Sequence, residues 1–414
     1  MSERTKKILF AIFFVIFSVG MGYGLYYLFI LRGQTPLTPT AQEAPGFGGK
    51  LSSASKGGPA PGEATTTPGE FPSSPGQPTT AVPTPSEAAG PVKTHLLRDG
   101  VTLDVTSSPG GNGARFYNPE DGRFYKINDD GTITALGDKQ FFNVDTVSWG
   151  KKTDQAIMDF PDGSNIYYDF ETKQQVALPK HWQDFSFSQD DTHIAAKSIG
   201  TDPDSRFLLI SKPNGTEAKA IQSLGDNAAQ VDISWSPNSQ VVAFAKTGAP
   251  QGGGQQEIFL VGQHHENFNS LIVPGQDFLP NWSPSGKQLL YSTWSVQSDG
   301  KPNLWVVAGD PANIGSSRSN LNLQTWADKC AWASETDLYC GIPQGLPSNA
   351  GLQRSDFTSL PDDVYHIDLR SGASVRISAP DQTHPIRSPV ITKDGNKLIF
   401  TDAESGKLYS YDLH

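Results

Sequence analysis

Ser234-Trp235-Ser236-Pro237-Asn238-Ser239 runs almost at once into Val241-Val242-Ala243-Phe244, and 47 residues later Asn281-Trp282-Ser283-Pro284-Ser285-Gly286 leads into Leu289-Leu290-Tyr291-Ser292. A Ser/Pro/Asn/Gly turn followed by a short apolar run reads as the turn of a β-hairpin and its return strand. A third close copy, Thr392-Lys393-Asp394-Gly395-Asn396, begins at Thr392, and looser copies begin at Ser148, Ser186 and Ala331. The aligned turn positions are Trp149, Phe187, Trp235, Trp282, Trp332 and Ile391, at intervals of 38, 48, 47, 50 and 59 residues. A second signature follows each of these six turns and occurs once more ahead of the first: a strand of alternating apolar and aromatic residues closed by a Gly-containing turn. It occurs at 123–127, 165–170, 206–210, 257–261, 303–307, 365–369 and 407–411. Amphipathic helical periodicity is sustained nowhere in this region.

Seven four-stranded units in residues 92–414 average about 46 residues, the period of propeller blades. The expected fold is all-β, a seven-bladed β-propeller, with six to eight blades the span that the uneven intervals allow. The chain stops at His414, directly after the third strand of its last unit, while Lys93-Thr94-His95-Leu96-Leu97-Arg98 lies unassigned ahead of the first. That segment is the expected outer strand of the last blade, closing the ring and removing its open edge. The repeat resembles the TolB-like, WD-type propeller repeat of bacterial envelope proteins. The resemblance covers residues 92–414 and implies a fold more than a function. It departs from TolB in what precedes the propeller, where TolB has a small α/β domain.

Residues 1–32 are expected to form a cytoplasmic tip and an uncleaved transmembrane anchor. Positions 8–31 hold 24 residues without a charge, which as a helix would span about 36 Å against a hydrocarbon core of about 30 Å. The run is too long for a signal peptide, and it ends in Tyr26-Tyr27-Leu28-Phe29 rather than a small-residue cleavage site. Arg4, Lys6 and Lys7 precede it and only Arg32 closely follows, so the positive-inside rule puts the propeller outside the cytoplasm. Residues 33–91 are a linker in which 45 of 59 residues are Pro, Gly, Ser, Thr or Ala. A chain so poor in apolar side chains cannot offset its conformational entropy.

The net charge of −11 argues against nucleic acid, which rewards clustered Lys and Arg. No Gly-x-Ser-x-Gly nucleophile elbow or phosphate-binding loop occurs, and no cofactor is expected. His264-His265-Glu266 lacks the four-residue helical spacing of a zinc site, and Asp190, Asp191, Asp202 and Asp204 lack the Gly and distal Glu of a calcium loop. All read as turn residues, and no metal site is expected. The repeat tryptophans are assigned to packing between blades.

Two sets of residues remain. Connections into the inner strands carry Phe141, Phe142, His181, Trp182, Phe278, Trp326 and His384, which either line one mouth of the channel as a binding face or pack between blades. Cys330 and Cys340 are the only cysteines. A three-residue connection at 334–336 places Cys330 opposite Cys340 in a hairpin, which suits a disulfide outside the cytoplasm. The functional expectation is a non-catalytic binding or scaffolding module of the cell envelope, with an envelope protein or glycan as partner. The alternative is an enzyme, a glycan hydrolase or lyase acting at the central channel, which would gather perturbed carboxylates or a histidine at the channel mouth.

Overall fold

The computed structural model describes residues 93–413 except 112, 129–130 and 378–380. The expected anchor and linker lie outside the described residues; among those described, no helix is long and apolar enough to cross a membrane. What forms is seven four-stranded antiparallel sheets, the seven blades of a propeller. Their inner strands are Leu103–Ser107, Thr146–Trp149, Trp182–Phe187, Val231–Ile233, Gln276–Trp282, Cys330–Trp332 and Ile386–Ile391. Second strands such as Val241–Ala245 and Gln288–Trp294 are almost wholly buried, because a neighbouring blade covers each of their faces. The apolar runs after each sequence turn are these strands, and the aromatic-rich signature is the third strand of each blade.

The ring closes through strand donation. Thr94–Arg98 is the outer strand of the seventh blade and pairs antiparallel with Leu408–Asp412, Thr94 opposite Tyr411 and Leu96 opposite Tyr409. Side chains fasten the junction, with His95 Nε2 2.8 Å from Asp412 Oδ2 and Lys407 Nζ 2.6 Å from Asp99 Oδ1. The first blade carries no aromatic residue at its turn position. Ser107 stands where the second blade has Trp149, each pairing with the first residues of its second strand, and so this copy of the repeat is masked in the sequence.

Apolar clusters bridge successive blades. Trp149 of the second blade sits edge-on to Phe124 of the first, centroids 5.4 Å apart, and stacks on Phe170 at 6.0 Å. Trp282 of the fifth blade stacks on Phe244 of the fourth at 5.3 Å. Cys330 and Cys340 are opposed in register in the sixth blade with Cα atoms 4.0 Å apart, joined as a disulfide.

Polar bonds stitch one face of the ring. Arg115 of the first blade, almost fully buried, donates to Thr153 O at 2.7 Å and pairs with Asp154 Oδ1 at 2.9 Å in the turn of the second blade. From the third blade, Asp191 Oδ2 accepts bonds from the same turn: Lys152 N at 2.7 Å, Thr153 N at 2.8 Å and Thr153 Oγ1 at 2.9 Å. Its Oδ1 accepts from Lys151 N. Glu335 of the sixth blade does the same for the fifth, accepting from Ser285 N at 2.6 Å and Ser283 Oγ at 3.0 Å.

Candidate functional site: the lumen and its acidic mouth

The inner strands enclose a lumen with a cavity of about 660 Å³, adjoined beside the first three blades by one of about 280 Å³. Its wall mixes the apolar edges of Val105, Phe185 and Trp332 with the hydroxyls of Thr106, Ser186, Ser234 and Ser388. Lys151 lines both cavities.

In six of the seven blades an aspartate in the inner strand or just before it lies three to five residues ahead of the turn position: Asp104, Asp145, Asp184, Asp232, Asp277 and Asp328. The seventh brings Arg387 instead. In alternate blades the strand is bulged here, with Asp104, Asp184, Asp277 and Ser388 at φ of 49°, 55°, 58° and 50°. Asp tolerates this left-handed conformation better than most residues, and a bulge re-aims its side chain out of the strand's alternation. Asp104 is thereby turned toward the second blade, where its carboxylate accepts Val147 N–H at 2.8 Å and its carbonyl accepts Trp149 Nε1–H at 2.8 Å.

Three of these aspartates are paired. Asp184 meets Lys197 at 2.6 Å, Asp232 meets Lys246 at 2.7 Å, and Asp328 meets Arg354. At the second blade the charge is not balanced. Asp159, which faces Thr146 across the strand pair, takes one hydrogen bond from Thr146 Oγ1 at 2.8 Å, while its Oδ1 is buried with no partner. Burial pushes its carboxyl up to about 6, the Thr146 bond opposes this, and Asp184, Asp145 and Asp104 add to it by repulsion. Asp104 is also raised, chiefly by burial and further by Asp145, against its Val147 bond and the field of Arg387. Carboxylates with displaced pKa gathered at a channel mouth mark a place where a ligand's charge would be felt.

The aromatic binding face expected from the sequence does not form as an exposed ring. Phe141, Trp182, Phe278, Trp326 and His384 are buried. Phe141 lies against Phe124 and Tyr168, and Phe278 against Phe244 and Tyr291. Trp182 packs with Leu178 and Phe185. Trp326 supports the long loop at 344–361 through Leu346 and Ala350. His384 is bonded through Nδ1 to Asp402 at 2.7 Å, with its ring 4.1 Å from that of Tyr409. The physical reason is area: a ring that large gains more between blades than on the rim. Only Phe142 and His181 reach solvent.

The remaining polar motifs serve their own turns. His264 N–H donates to Glu266 at 2.7 Å, Asp190 accepts Ser188 Oγ at 2.7 Å, and Asp202 accepts Asp204 N–H at 3.0 Å. Among the described residues, no group of three His, Cys, Asp or Glu side chains is arranged to hold a metal ion. The mouth aspartates had a legible signal, a recurrent Asp at a near-constant offset from the turn residue. Lys151 had none, since Ser148-Trp149-Gly150-Lys151 reads only as a hairpin turn.

No protein-family model and no curated protein sequence matches this chain. Among solved structures it is similar to the Cps50 (Swd1) β-propeller domain of Myceliophteria thermophila, with 12% identity and a TM-score of 0.52 over 78% of this chain and 100% of that one. It is also similar to an oligogalacturonate lyase from Vibrio parahaemolyticus, with 10% identity and a TM-score of 0.50 over 78% and 94%. One of these is a propeller domain and the other is named as an enzyme, and at such identities the likeness shows the propeller fold alone.

Proposed function

We propose that this chain is a membrane-anchored, extracytoplasmic β-propeller that acts as a non-catalytic binding or scaffolding module of the cell envelope, engaging cationic groups of an envelope protein or glycan at its acidic mouth. The observation that carries this reading is the convergence of Asp104, Asp145, Asp159 and Asp184 on one end of the channel, where Asp159 keeps an oxygen buried without a partner and burial pushes its carboxyl up to about 6. A basic group brought there would stabilise the ionised carboxylate and complement the mouth's charge. The charge-free run at 8–31, its Lys/Arg flanks and the TolB-like repeat support the envelope location. The test is a photo-crosslinking residue placed in the full chain in intact cells, at Thr146 on the mouth or at Lys152 on the stitched face. Adducts from the mouth that vanish in an Asp104→Asn, Asp145→Asn, Asp184→Asn triple variant are expected; adducts only from Lys152 would sink the reading. External protease should remove the propeller from intact cells.

One observation favours a second reading. A carboxyl pushed up to about 6 beside other carboxylates is the arrangement of a general acid. An enzyme acting on glycans at the channel would release product from envelope glycan, and Asp159→Asn would abolish that release while leaving the crosslinks intact.

A further inference from the structure

The opposite charge lines the same lumen from the turn of the second blade, at the stitched end. Lys151 is exposed to the water of the lumen it lines, yet it is walled by protein. Its backbone N–H is given to Asp191, and its ammonium has no ion-pair partner among the described residues. The carboxylates on the same walls are otherwise engaged: Asp328 with Arg354, and Asp104 with Val147 N–H under the field of Arg387. Asp191, the anion that favours its charged form, already spends its carboxylate on the turn donors at 151–153, and desolvation and Arg115 act the other way on the lysine's pKa.

Hydroxyls on the wall of the same cavity are donors in waiting. Ser186 Oγ accepts Trp235 N–H at 3.3 Å, and Ser234 Oγ accepts Trp282 Nε1–H at 3.1 Å. Each oxygen is thus used as an acceptor in the joint between blades, and no described residue takes its own proton. Both open onto the 660 Å³ cavity, a volume within the range of small-molecule sites. A lumen that offers an ammonium and spare O–H groups complements an acceptor-rich ligand.

We propose that the lumen beside Lys151 binds a small oxyanion, a carboxylate or phosphate borne on a hydroxylated molecule. This site is of small-molecule size and stands whether or not the mouth engages a macromolecule. It is tested by calorimetric titration of the full chain in detergent micelles, at constant ionic strength, with sodium gluconate and with inorganic phosphate. Glucose serves as the neutral control and choline as the cationic one. Saturable 1:1 binding of an anion is expected, weakened at least about tenfold in Lys151→Met and held within about threefold in Lys151→Arg. Saturation by gluconate assigns a carboxylate ligand, and saturation by phosphate alone assigns a phosphate. The proposal is overturned if neither anion saturates, if glucose binds as well as gluconate, or if Lys151→Met binds as tightly as the unaltered chain.

Discussion

The two faces of the ring use the same residue type to opposite ends. On the stitched face, Asp191 receives four hydrogen bonds from a single turn of the neighbouring blade and is only 6% exposed. On the mouth face, Asp159 receives one from a side chain and keeps an oxygen buried without a partner. A carboxylate whose lone pairs are filled is part of the architecture, and one left unfilled has charge to spare for something else. The same contrast separates Glu335, which caps a turn, from Asp145 and Asp104, which repel their neighbours.

Four substitutions break or sharpen that contrast. The largest effect should come from the mouth face, where the aromatic residues are structural: Trp326→Ala should cost about 3–5 kcal/mol by emptying the space beneath the 344–361 loop. Chemical denaturation measures it, and partner crosslinking through Thr146 should survive in the fraction that folds. Next, Asp191→Ala should cost about 3 kcal/mol, because it strands the turn donors at 151–153. A loss below 1 kcal/mol, about the net value of one ordinary hydrogen bond, would mean that water serves that turn as well as the carboxylate does. Glu335→Gln keeps an acceptor but drops the charge, and the expected loss is about 1 kcal/mol.

The smallest change should have the opposite sign. Folding raises the Asp159 carboxyl from its ordinary range to about 6, so the folded state binds the extra proton between about pH 4 and 6. Stability from this group therefore falls as pH rises through that window and is lowest above it. Asp159→Asn should stabilise by about 1 kcal/mol at pH 8, a modest value because water still reaches the group. The advantage should vanish below about pH 4, where the carboxyl is protonated in both states. Melting curves of the two proteins at both pH values decide it; a variant less stable at pH 8 would show that Asp159 is held by bonds of its own.

The blade count was legible because the aromatic-rich third strand recurs in every blade, and a bulky aromatic marks the turn in five of the seven. Closure by Thr94–Arg98 was legible from bookkeeping of strands: the last unit lacked one and the first had one to spare. The register of Cys330 with Cys340 followed from the odd length of the connection between them. The first inner strand escaped, since Ser107 occupies the aromatic position. The place of the connection aromatics, on the rim or between blades, was left open by the sequence for a different reason. Sequence places Trp182 and Trp326 in connections near the mouth, but whether a ring faces the lumen or turns into the seam depends on neighbours such as Leu346 and Ala350, distant in the chain. Lys151 was hidden because its environment is assembled from all seven blades.

The donated strand has a mechanical consequence. Residue 93 and everything before it join the ring through Thr94–Arg98, which is held to the seventh blade by one ladder to Leu408–Asp412 and by a few side chains. Tension along the preceding chain is therefore delivered to that ladder before it reaches any other blade. A pull along the strand loads its hydrogen bonds together in shear, and a pull across it opens them one at a time from Thr94. The seam that completes the circle is thus also the first contact to bear a load applied at residue 93.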